Sequence, residues 1–139
     1  MERVLVRICI YGRKAWIEEM AQYAALRNGE VQQMGQKARR PPLDLWCYCT
    51  PWDEVHFEEL PDGLNEGVLR AISRTSQALA AYLTAPPDTD CYGCLLICPV
   101  GEGQDWQFSC LLPNRTVSML ATMGLALEID PAVIMPERT

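Results

Sequence analysis

Arg3-Val4-Leu5-Val6-Arg7-Ile8-Cys9-Ile10-Tyr11-Gly12 is the stretch that sets the frame for the chain. Val4, Val6, Ile8 and Ile10 alternate with Leu5, Arg7, Cys9 and Tyr11. A period of two with β-branched residues reads as a strand, and Gly12 ends it. Further on, Ile17, Met20, Ala21, Ala24 and Ala25 recur at three-and-four spacing, which predicts a helix from about Lys14 to Arg27 with Asn28-Gly29 as its stop. Residues 28–44 carry Gly29, Gly35, Pro41 and Pro42 and read as a long irregular connection.

Leu45 to Thr50 is a second predicted strand, bounded by Pro51, with Leu45, Cys47 and Cys49 on one face and Trp46 and Tyr48 on the other. After an acidic loop, Leu64, Val68, Ile72, Thr75, Leu79, Tyr82 and Leu83 form the apolar stripe of one long helix, Leu64 to Leu83. Asp62 is its expected N-cap and Pro86-Pro87 its terminator. Tyr92 to Pro99 is an apolar strand, Gly101-Glu102-Gly103 a turn, and Trp106 to Leu111 the expected hairpin partner. A short helix from Arg115 to Met123, with Asn114 as N-cap, ends at Gly124. Leu125, Leu127 and Ile129 then alternate with Ala126, Glu128 and Asp130 in a last strand. The expected order is β-α-β-α-β-β-α-β, an α+β fold with a mostly antiparallel sheet covered by helices. It forms a single domain over residues 1–130 with a tail over 131–139.

Composition agrees with one globular domain. The 139 residues are 49% hydrophobic and 22% charged, enough apolar sequence for a single core and too much for disorder. No apolar run approaches the ~20 residues of a membrane helix, and Met-Glu-Arg-Val-Leu lacks a secretion-signal pattern, so no membrane association is expected. Seven cysteines in that context point to a reducing cytoplasm, where they stay thiols or bind metal.

The net charge of −6 is unevenly placed. Residues 1–40 hold eight basic and four acidic side chains, and residues 41–139 hold four basic and fourteen acidic ones. The acidic balance argues against nucleic-acid binding. Within the acidic part, Trp52, Asp53, Glu54, Glu58, Glu59 and Asp62 crowd together. The run reads either as a solvated loop or as a docking surface for a basic protein, where an acidic field speeds encounter and Trp52 anchors the contact.

Chemistry-bearing patterns are few. Cys91-x2-Cys94-x3-Cys98-Pro99 equals the later part of a bacterial ferredoxin run, with Asp88 where a first cysteine would stand. The β-branched, apolar Leu95-Leu96-Ile97 between Cys94 and Cys98 prefers a buried strand to a metal turn. Zinc held by Cys91 and Cys94 with Cys47 and Cys49, or with His56, is the other metal option. Against both stands the ordinary behaviour of strand cysteines as small buried hydrophobes. His56 is the one histidine and lies in the acidic loop. Neither a nucleophile elbow, a phosphate loop nor a dinucleotide fingerprint is present. The residues therefore point to a non-enzymatic protein with no catalytic residues and no cofactor.

Arg3–Gly12, Glu18–Leu26, Met34-Gly35-Gln36, Leu45-Trp46-Cys47, Leu64–Leu83 and Leu120–Asp130 together give a rhythm that covers most of the chain. In that rhythm the chain resembles a bacterial family, domain of unknown function number 4279. It departs from the family at Gln36, where an acid is usual, and in its seven cysteines. The resemblance implies a single α+β domain without known catalytic residues. By analogy with small bacterial domains of this kind, it implies an immunity protein that blocks a cognate protein toxin. Three functions are therefore expected, in this order: an immunity protein acting through Trp52 to Asp62; a zinc or iron–sulfur protein using Cys91, Cys94 and Cys98; and a sensor holding a small molecule between sheet and helices.

Overall fold

In the computed structural model the described residues are 3–23, 30–33, 45–56, 62–75, 77–87, 89–100 and 111–129. Ten elements follow in chain order: β1 (Arg3–Arg13), α1 (Lys14–Tyr23), β2 (Glu30–Gln33), β3 (Leu45–Cys49), β4 (Asp53–His56), α2 (Asp62–Ser73), α3 (Gln77–Leu83), β5 (Tyr92–Val100), α4 (Asn114–Thr122) and β6 (Leu125–Ile129). The class is α+β. Six strands form one sheet in the order β2-β3-β1-β5-β6, and β4 also pairs with β1. Every pairing is antiparallel except β5 with β6, which is parallel. Among the described residues no helix is long and apolar enough to cross a membrane.

β1 is the spine, because its alternation gives it two apolar faces. Val4, Val6, Ile8 and Ile10 are all fully buried under the helices. There they meet Ile17 and Met20 of α1, Leu64, Val68 and Ile72 of α2, Leu79 and Leu83 of α3, and Leu120 of α4. Leu5 and Cys9 point the other way and join Cys47, Cys49, Cys94, Leu96, Cys98 and Val100 in a second buried cluster. The expected faces of β3 hold: Cys47 and Cys49 lie in the second cluster, while Tyr48 and Trp46 pack with the first.

One edge of β1 carries two strands in succession. Cys9 to Arg13 pair with β3, and Arg3 to Val6 pair with β4. Thr50 still answers Ile8, its N–H donating to the Ile8 carbonyl at 3.0 Å. Asp53 answers Val6. Pro51 and Trp52 therefore stand opposite Arg7 alone, which is a β-bulge. Proline suits the bulge because it has no ladder N–H to lose. The extra residue flips the alternation, so Asp53 and Val55 face the helices although Cys47 and Cys49 face away.

Several expectations are corrected. β2 lies within the stretch read as irregular; its polar Glu-Val-Gln-Gln forms a strand by pairing with β3 at the sheet edge. Asp53–His56 is a strand, not part of a loop. The single helix over Leu64–Leu83 is two, because the N–H groups of Arg74 and Thr75 turn back to the carbonyls of Ala71 and Ile72 and the Thr75 hydroxyl also donates to Ile72. Asn114 is the first helical residue of α4; Pro113 takes the cap position, with no side-chain capping bond. The expected hairpin partner Trp106 to Leu111 falls mostly outside the described residues, as do residues 24–27 of the first helix and the tail over 131–139. Gly124, with φ of 75°, is the turn from α4 into β6; a Cβ there would stand 2.9 Å from the Leu83 backbone.

Candidate functional site

The acidic segment does not form one continuous surface among its described members. Asp53 is buried, and the bulge aims its carboxylate at α2. Arg74 grips it with two bonds, Nε to Oδ2 at 3.0 Å and Nη2 to Oδ1 at 2.8 Å. Arg70 Nε stands 3.7 Å away. A carboxylate held bidentately by one arginine and approached by a second is a structural ion pair, so its placement as a partner-contacting acid is corrected. Glu54 is exposed and pairs with Arg3 at 3.2 Å, with His56 3.7 Å from its other oxygen. Trp52 is half-buried, and the Arg7 guanidinium lies 3.9 Å over its ring, a cation–π contact that the bulge creates. Glu58, Glu59 and the Asp62 side chain lie outside the described residues.

The cysteine run is split by the sheet. Cys94 and Cys98 lie in the thiol-bearing cluster. Cys91 lies on the helix side instead: a Cβ built on Gly12 would stand 3.0 Å from its Sγ and 2.6 Å from the Trp16 ring. One ion cannot be cradled from both faces of a strand, so Cys91, Cys94 and Cys98 do not converge. Among the described residues no group of three or more histidine, cysteine, aspartate or glutamate side chains could hold a metal ion.

The remaining thiols form a row across three strands. Cys9 is the register partner of both Cys49 and Cys94. Its Sγ lies 3.6 Å from that of Cys49, which lies 3.8 Å from that of Cys47. Hydrogen bonding with Cys49, together with burial, holds the Cys9 thiol far above its ordinary value of 9.0. Hydrogen bonding with Cys47 raises Cys49 as well. Burial pushes Cys94 up to about 12. A thiolate is the reactive and metal-binding form, so these shifts suppress both chemistries at neutral pH.

The helix layer carries a different feature. Ile72 of α2, Thr75 in the break after it, Ala80 of α3, and Arg115, Ser118, Met119, Thr122 and Met123 of α4 and its end line a cleft of about 680 Å³. Thr75, in the break between α2 and α3, is part of its wall. The Thr116 hydroxyl donates to Asn65 Oδ1 and ties α4 to α2. Thr75 and Thr122 donate their hydroxyl protons to backbone carbonyls, of Ile72 at 2.7 Å and of Ser118 at 2.9 Å. Among the described residues Arg115 is the one charged side chain on the lining and makes no ion pair.

None of these lining residues stood out in the sequence as a site. The available signal was Arg115, Met119 and Met123 at intervals of four on α4, a second stripe beside the buried Thr116 and Leu120. Compared with known proteins, the chain matches no protein-family model, no curated protein and no solved structure.

Proposed function

We propose that the chain is a non-enzymatic binding protein whose ligand is a small molecule held in the cleft between α2, α3 and α4. The observation that carries this reading is the cleft itself. Its volume of about 680 Å³ falls in the range of small-molecule sites, and its walls are mostly apolar with a few placed polar groups. A ligand that binds the native state alone must raise the unfolding temperature. Thermal unfolding across a panel of metabolites is expected to reveal stabilising members for the wild-type chain and none for Ala80→Phe, which fills the cleft. A panel that stabilises neither protein, or stabilises both equally, contradicts the reading.

A second reading keeps the immunity function, favoured by exposed Glu54 standing two residues beyond a half-buried tryptophan. It would rest on Glu54, Glu58 and Glu59, and on the likeness to domain of unknown function family 4279. Binding of a cognate toxin that survives Glu58→Lys with Glu59→Lys would overturn it.

A further inference from the structure

We infer that the cleft selects a flexible apolar chain ending in a single carboxylate, an inference that rests on the small-molecule reading above. Among the described residues the lining supplies one positive charge, no negative charge and four apolar side chains, Ile72, Ala80, Met119 and Met123. A lone arginine at the edge of an apolar cleft sets the polarity of its occupant: a cationic head is repelled, and a neutral one leaves the guanidinium without its best partner. The planar guanidinium matches a carboxylate through two parallel N–H bonds.

Ser118 is three residues beyond Arg115 on the same helix, so both reach one head group. Its hydroxyl makes no hydrogen bond among the described residues and retains its proton to donate. Thr75 and Thr122 differ, having already given their protons to the backbone. Donors toward an anion are thus Arg115 and Ser118. Both thioethers lie along the apolar wall. Methionine has three rotatable bonds and a polarizable sulfur, and it packs against irregular or mobile chains better than a rigid residue does. That wall suits an alkyl chain more than a single fixed ring.

The test is a calorimetric titration of the full chain at neutral pH with decanoate and with 1-decanol, both below their aggregation limits. Decanoate is expected to bind at least ten-fold tighter than decanol. Arg115→Met is expected to erase that preference by weakening decanoate alone, with decanol binding unchanged as proof of an intact cleft. Arg115→Lys keeps the charge without the fork and is expected to fall between; it decides the matter if the Met variant does not fold. Ser118→Ala is expected to weaken decanoate a few-fold. Equal affinity for acid and alcohol in the wild-type chain, or an unchanged preference in Arg115→Met and Arg115→Lys, overturns the carboxylate assignment and leaves the small-molecule reading standing. Binding of neither probe, together with a metabolite panel that stabilises nothing, overturns both.

Discussion

The two faces of β1 both carry buried residues but are chemically unlike, and on the second face Arg3, Arg7 and Tyr11 are only half-buried. Val4, Val6, Ile8 and Ile10 lie at 0% exposure beneath four helices. Cys9 lies at 1% on the opposite face, with Leu5, Cys49 and Cys94 beside it. Among the described residues no helix side chain belongs to that second cluster. The helix face is built from large branched side chains that interlock with α1 to α4, so a lost methyl group there leaves a void. The other face mixes Leu5, Leu96 and Val100 with five cysteines, and each cysteine is a small, soft side chain that contributes less volume to be missed. Burial alone therefore does not rank residues; what each one fills does.

The widest gap is expected between neighbours on the spine. Ile8→Ala should cost about 2–5 kcal/mol by the lost transfer energy and the residual cavity. Cys9→Ala, which removes one sulfur atom, should cost about 1 kcal/mol. Urea unfolding of the two variants measures both, and equal costs would break the comparison.

A smaller effect is expected at the one charged side chain buried within the helix face among the described residues, Asp53. Arg74→Met strips the carboxylate of its two short bonds and should cost about 2 kcal/mol, the usual value for hydrogen bonds to a charged group. Arg70→Met removes a longer, half-exposed contact and should cost less than about 1 kcal/mol. A reversed order would show that Arg70 is the true partner.

The thiol face should announce itself only in alkali. A thiol raised in the folded state keeps its proton after the unfolded chain has lost its own, so the native state binds more protons above pH 9.0 and stability falls as pH rises. Below that value the thiols contribute no slope. Between pH 9.0 and about 12, Cys94 alone should give a decline of about 1.4 kcal/mol per pH unit. Cys94→Ala should flatten the curve by that amount; an unchanged slope would mean that the thiol face is open to solvent.

The same contrast explains what was legible in the sequence. β1 and β3 were legible because each states its faces locally, through alternation that one residue after another repeats; β6 was legible as a strand, although Leu127 and Ile129 of its apolar set stand exposed. β4 was hidden by the bulge. Counting in twos through Pro51 and Trp52 puts Asp53 on the wrong face, and the arginines that neutralise it arrive from α2 and the residue just after it, 17 and 21 residues later in the chain. The break between α2 and α3 was hidden because the apolar stripe runs on through Thr75, while the interruption is made by backbone bonds to Ala71 and Ile72. The cysteines drew attention as chemistry, yet their strand positions divide Cys91 from Cys94 and raise the thiols that remain together. The cleft was least legible of all, since its lining comes from three helical segments and carries no motif.

Methionine methyl resonances test the central claim, that the helix-layer cleft is the binding site, most directly. Met119 and Met123 line the cleft, whereas Met20 is fully buried between α1 and the sheet. Titration of methyl-labelled protein with decanoate should shift Met119 and Met123 progressively and leave Met20 in place. Shifts confined to Met20 or to other methionines, or no shift at any of them, would contradict the account.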